Sequence, residues 1–123
     1  ALKNAPLTIY GTGKQTRCFG HVADVVDAIL KLDACPDALG KPVNIGVNQE
    51  ISIFDLASKV IQKTNSRSDI SYQSYDDAYA QGFEDMERRV PNIELINQLV
   101  GWKPKRDLSA MITDISVEMK KGS

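Results

Sequence analysis

The sequence is poor in the residues from which small catalytic and metal centres are built. It has one histidine and two cysteines in 123 residues. Cys18 and Cys35 have neither the density of a disulfide scaffold nor the spacing of metal ligands, and they read as free thiols in a reducing cytoplasm. His21 has no serine or cysteine placed beside it by the sequence, so a structural role at a strand end is expected. The acidic pairs Asp76-Asp77 and Glu84-Asp85 lack calcium-loop spacing and read as solvated charges. No catalytic residue and no metal ligand is assigned. Charge of one sign is also lacking. With 15 basic and 16 acidic residues the formal net charge is -1, which gives no global field toward nucleic acid or an anionic membrane. No apolar run approaches a membrane span, no signal-peptide pattern is seen at the N-terminus, and the expected location is the cytoplasm. There is no internal repeat. The chain begins Ala1-Leu2-Lys3 without an initiator methionine, so it reads as a fragment or excised domain.

What is present is an ordinary globular composition, 42% hydrophobic and 25% charged, in a chain long enough for one modest core and too short for two full domains. Helical periodicity appears in four places. Val25, Val26, Ala28, Ile29 and Leu32 form the first stripe, with Pro36 beyond its end. Ile53, Leu56, Ala57, Val60 and Ile61 form the second, with Ser52 as N-cap. The third begins at Asn92, carries Ile93, Leu95, Ile96 and Leu99, and stops at Gly101. The fourth carries Leu108, Met111, Ile112, Ile115 and Met119 behind a capping Asp107. Strands are expected at Leu7–Tyr10, Thr16–Val22, Pro42–Ile45 and Asp69–Tyr72, with Gly11-Thr12-Gly13-Lys14 as a hairpin-like connection between the first two. Residues 76–85 read as irregular or briefly helical, and Trp102 as a core residue at a helix end. The class is α+β (mixed α/β): short strands with about four amphipathic helices.

Two motifs invite a nucleotide reading, and one fails. Gly11-Thr12-Gly13-Lys14-Gln15-Thr16 lacks the hydroxyl residue directly after Gly-Lys that a Walker loop uses for magnesium. Thr8 and Thr16 stand where glycines would be needed, and a strand follows where the dinucleotide fingerprint requires a helix. It reads as a glycine turn. Arg17, Arg88 and Arg89 are better candidates, because a guanidinium offers a planar, permanently charged fork matched to phosphate oxygens. On an alternating strand Gln15 and Arg17 would share a face. The competing reading pairs the arginines with Glu84, Asp85 and Glu87 as surface ion pairs.

The run Pro6-Leu7-Thr8-Ile9-Tyr10-Gly11-Thr12-Gly13-Lys14-Gln15-Thr16-Arg17-Cys18-Phe19, followed by Val22 and Asp24, is similar to a pattern of extended short-chain dehydrogenases/reductases that act on nucleotide sugars. Pro42-Val43-Asn44-Ile45-Gly46 and Ser52-Ile53-Phe54-Asp55-Leu56-Ala57 resemble the next strand and helix start of that family. Arg88-Arg89-Val90-Pro91-Asn92-Ile93 and Leu99-Val100-Gly101-Trp102-Lys103-Pro104 resemble its ending, with Asn92 in place of the usual aspartate. The matches fall in the family's order and cover nearly the whole chain. They resemble UDP-glucose 4-epimerase-like and UDP-glucuronate decarboxylase-like members, and Gly82-Phe83-Glu84-Asp85-Met86 leans toward the former.

The resemblance implies that residues 1–123 are the C-terminal, substrate-binding part of an NAD-dependent nucleotide-sugar epimerase or dehydratase. Leu7, Ile9 and Tyr10 would line the nucleobase pocket, Gln15 would make a polar contact to the nucleotide, and Arg17 with Arg88 and Arg89 would hold the diphosphate. The partners implied are a nucleotide sugar, a UDP-sugar being favoured, and an N-terminal Rossmann domain missing here. The intact protein is expected to be a homodimer that carries NAD. The family's glycine-rich cofactor turn and Tyr-x-x-x-Lys pair are not found, so this chain is expected to bind no NAD and to be inactive alone. Tyr10 and Lys14 have the spacing of that pair, but they flank a glycine turn. The alternative is a non-enzymatic nucleotide-sugar sensor or protein-interaction module.

Overall fold

The computed structural model describes residues 1–78 and 85–122, the side chains of 77 and 78 excepted. The elements in chain order are β1 (Leu7–Tyr10), β2 (Thr16–Arg17), α1 (Val22–Asp33), a 3-10 turn (Pro36–Ala38), β3 (Ile51–Ser52), α2 (Ile53–Thr64), β4 (Ile70–Gln73), α3 (Tyr75–Ala78), α4 (Glu94–Val100) and α5 (Leu108–Lys121). The mixed class is as expected, with four substantial helices and the single turn of α3. The chain divides into two compact units. One comprises Ala1–Arg17, Ile51–Arg89 and Ile112–Ser123; the other comprises Cys18–Glu50 and Val90–Met111.

In the first unit β1 pairs in parallel with β4, from Leu7 opposite Ile70 to Tyr10 opposite Gln73. β2 pairs antiparallel with β3, and Thr16 also makes a parallel bridge to Arg88. The expected hairpin between β1 and β2 is therefore corrected. The turn does not fold β2 back onto β1, because Gly11 N–H donates to Gln73 O at 2.8 Å and Phe54 N–H to Gly13 O at 3.0 Å. Those bonds carry the chain from one sheet to the other. Ile9 is 2% exposed and packs inward, whereas Thr8 and Tyr10 on the opposite face are exposed, as strand alternation requires. α2 begins as expected at Ser52, whose Oγ accepts from Asp55 N–H at 3.0 Å.

The second unit is built on Ala28, Ile96 and Trp102, with Leu32, Val43, Ile45, Ile93 and Val100 packed around them. Three boundaries differ from the sequence reading. The strand expected through Val22 stops at Arg17, and α1 starts at Val22 because His21 Nδ1 caps it, accepting from Ala23 N–H at 3.0 Å. Pro42–Ile45 forms no strand: Pro42 brings no N–H, and no ladder partner occurs among the described residues. The third helix starts at Glu94, since Asn92 turns its Oδ1 to cap Glu94 N–H at 2.9 Å. β3 was not anticipated, being only two residues long. Gly101 closes α4 with φ 67°, and Asp107 Oδ1 accepts from Ala110 N–H at 2.8 Å, both as expected.

Asp24 is the polar centre of this second unit. It is buried in the first turn of α1, where Oδ2 accepts from Lys105 N–H (3.1 Å) and Arg106 N–H (2.9 Å) while Oδ1 meets Arg106 Nη1 at 2.6 Å. Its backbone carbonyl accepts from Trp102 Nε1 at 3.0 Å. One residue thereby holds the Trp102–Arg106 segment against α1. Gly46 is small for a similar local reason, as a β-carbon there would lie 3.0 Å from Pro91 Cγ.

Candidate functional site

The seven residues expected to bind ligand all belong to the first unit. Leu7 and Ile9 lie on the covered face of β1; Ile9 is closed from solvent and packs under the turn, 3.3 Å from where a Gly13 β-carbon would stand. Tyr10 is 40% exposed at the strand end. Gln15 donates through Nε2 to Tyr10 O (3.1 Å) and to Tyr75 Oη (3.1 Å). Arg17 donates through Nη1 to Thr16 O at 2.7 Å, and its Nη2 pairs with Asp85 Oδ1 at 2.5 Å. Tyr75 Oη donates to Asp85 Oδ2 at 3.4 Å. Gln15, Tyr75, Asp85 and Arg17 thus form one continuous hydrogen-bonded chain.

The Thr16–Arg88 bridge and the 2.8 Å bond from Thr16 N–H to Glu87 O set the Arg88 backbone beside β2. Main-chain pairing thus sets position 88 against position 16, next in sequence to Arg17. Arg88 and Arg89 are both exposed. For Arg17, the ion-pair reading with Asp85 matches what is seen, and the pair is sheltered, its side chains 19% and 27% exposed. Asp85 is accordingly not the solvated charge expected of it. Glu84, its companion in that reading, lies outside the described residues, as do Gly82 and Phe83 of the epimerase-like segment.

Sequence reasoning missed Tyr75, and it offered Asp85 only as a surface ion-pair partner of the arginines. Tyr75 has a legible cause only in the fold: the ring lies against Gly11, where a β-carbon would stand 2.6 Å from Cε2, and Gly11 adopts φ +78°. The glycine is there to admit the ring, so the turn serves packing instead of cradling phosphate. It leads into β2 and not into a helix, so it makes no dinucleotide seat, and the described residues do not fit NAD. Tyr10 and Lys14 share no helix.

An open groove in the second unit, lined by Pro42, Asn44, Asn92, Glu94, Leu95 and Gln98, holds none of the expected residues and has an acid but no base to meet an anion. Among the described residues no group of three or more His, Cys, Asp or Glu could hold a metal ion. Nor is any helix among them long and apolar enough to cross a membrane. Neither Cys18 nor Cys35 is joined in a disulfide among the described residues.

A mixed fold with this strand and turn arrangement defines a piece of an extended short-chain dehydrogenase/reductase, of the NAD-dependent nucleotide-sugar epimerase/dehydratase type. The chain belongs to the GDP-mannose 4,6 dehydratase family, whose profile matches residues 1–115. It is 36% identical over 105 residues to the UDP-N-acetyl-alpha-D-glucosaminuronate decarboxylase of Bacillus cytotoxicus, covering 85% of this chain and 32% of that protein. It is also 36% identical to UDP-glucuronic acid decarboxylase 1 of Xenopus tropicalis, covering 85% and 23% respectively. The X-ray structure of Pal from Bacillus thuringiensis matches with TM-score 0.86 and 27% identity, over 99% of this chain and 37% of that one. UDP-glucuronic acid 4-epimerase of Bacillus cereus, solved with UDP-glucuronic acid and NAD, shares the fold at TM-score 0.85, with 21% identity over 99% and 37%. The chain therefore spans about a third or less of the length of these proteins.

Proposed function

We propose that this chain binds the diphosphate of a sugar nucleotide, a UDP-sugar being favoured, as the substrate-binding part of a longer NAD-dependent enzyme. The observation that supports the reading is the backbone bridge of Thr16 to Arg88, which sets the main chain of Arg88 beside β2, the strand that carries Arg17. Arg17 and the Arg88/Arg89 pair supply cationic forks for one diphosphate. Tyr10 stands at the open end of β1 as the exposed wall for the base, Leu7 and Ile9 back it, and Gln15 fixes the strand end through Tyr10 O. The two decarboxylases named above carry UDP-sugars in their names, which favours that class over other nucleotide sugars.

The rest of the enzyme is a Rossmann domain that holds NAD and supplies the reacting groups. Support comes from α1, where Val22, Val26, Ile29 and Leu30 form one exposed apolar row at helical spacing. Binding energy gathered at the diphosphate would position the sugar for chemistry done elsewhere in the protein. With NAD and a UDP-sugar the chain alone is expected to give no turnover, and the longer protein is expected to turn over. Calorimetric titration with UDP tests the binding half: affinity lost in Arg17→Ala supports the reading, and turnover by the isolated chain overturns the division of labour.

A further inference from the structure

We propose that Asp85 is a positioning residue for Arg17, an inference that rests on the diphosphate reading above. A guanidinium on a flexible stem binds a phosphate well only when its fork is already aimed. Here Arg17 is held at two points, by Thr16 O at 2.7 Å and by Asp85 Oδ1 at 2.5 Å, each through a terminal nitrogen. Thr16 O and Asp85 Oδ1 take two of the five N–H donors that a guanidinium has, and a fork aimed in this way can offer others to an anion. Both partners are sheltered, so solvent and salt weaken the pair less than they would a surface bridge.

Asp85 is itself aimed. Its second oxygen accepts from Tyr75 Oη at 3.4 Å, and that oxygen accepts from Gln15 Nε2 at 3.1 Å. Gln15 is anchored to the Tyr10 carbonyl at the end of β1, and the Tyr75 ring rests on Gly11. Orientation is thereby handed from a paired strand through Gln15, Tyr75 and Asp85 to the guanidinium. A carboxylate that merely neutralised Arg17 would need no tether on its other oxygen. The second tethered oxygen is what distinguishes a positioning group from a chance counter-charge.

The test is calorimetry of the 123-residue chain with UDP and with uridine, which lacks the diphosphate. Asp85→Ala is expected to weaken UDP binding about five- to twentyfold and leave uridine unchanged. Asp85→Asn keeps an oxygen for Arg17 but offers Tyr75 Oη an N–H donor in place of the acceptor it now uses, and it is expected to bind UDP more weakly than the parent and more tightly than Asp85→Ala. Tyr75→Phe keeps the ring against Gly11 but removes the hydroxyl that links Gln15 to Asp85, and it is expected to lose about two- to fivefold; it serves if Asp85→Ala does not fold. UDP binding undiminished in both Asp85→Ala and Tyr75→Phe, but lost in Arg17→Ala, overturns the inference and leaves the diphosphate reading standing. UDP binding that Arg17→Ala leaves unchanged overturns the reading itself, and the inference with it.

Discussion

Gly11 and Tyr75 occupy what would be a single volume if residue 11 had a side chain, since a β-carbon there would stand 2.6 Å from the Tyr75 ring. The glycine turn of the sequence motif is thus tied to a tyrosine more than sixty positions away. Gly11→Ala must adopt an unfavourable positive φ and also push the ring aside. It is expected to cost about 1–3 kcal/mol in urea unfolding. Because the ring carries the hydroxyl between Gln15 and Asp85, the same variant should lose UDP affinity.

Asp24 gives a pH dependence with a definite sign. Burial on its own would raise its pKa. The backbone N–H and guanidinium of Arg106, with the N–H of Lys105, more than offset that and hold the carboxyl below its ordinary 3.8. A group whose folded pKa is depressed contributes stability above its unfolded pKa and loses it as pH falls through the folded value. The difference in unfolding free energy between the parent and Asp24→Asn should therefore be constant near neutrality and shrink only below about pH 4. Asp24→Ala, which leaves the N–H groups of Lys105 and Arg106 without their acceptor, is expected to cost about 1–3 kcal/mol.

Trp102 is the single tryptophan and is 2% exposed, so its fluorescence reports the second unit directly. Gly46→Val would drive a branched side chain into Pro91 and is expected to lower the midpoint of that signal, at a cost of about 1–3 kcal/mol. Gly40, whose surroundings are open, serves as a contrast. Gly40→Asn should change stability by less than about 1 kcal/mol, since asparagine tolerates its positive φ.

The exposed row on α1 should make the isolated chain bind apolar dyes or self-associate. Val26→Gln with Leu30→Gln is expected to suppress dye binding and to change thermal stability little, because both side chains are at least 48% exposed in the folded chain. Unchanged dye binding in the double variant would place the apolar surface elsewhere.

Much of the architecture was legible because it depends on local signals. The 3.6-residue stripes marked α1, α2, α4 and α5, and caps such as Ser52, Asp107 and Gly101 are residues whose chemistry is decided within one turn. Pairing was not legible. Alternation along Leu7–Tyr10 gives a strand and its faces but cannot say that its neighbour lies sixty-three residues on, at Ile70. Pro42–Ile45 has the alternation of a strand, and its Val43 and Ile45 do pack inward, yet it makes no ladder. The same limit applies to the site. Arg17 and Arg88 could be singled out as phosphate-binding chemistry, but the parallel bridge from Thr16 to Arg88 could not be read from spacing. Asp85 could be read as a solvated acid or as a partner of the arginines; the fold gives it Arg17 and adds Tyr75, which spacing did not suggest.

The most direct test of the central claim is to locate bound nucleotide by NMR, titrating UDP into the isotope-labelled chain and following backbone and guanidinium resonances. The account predicts saturable shifts concentrated on Tyr10, Gln15, Arg17, Arg88 and Arg89, weakened as salt screens the cations. Shifts centred instead on the groove of Asn44, Asn92 and Gln98, or none at Arg17 at saturating UDP, would contradict it.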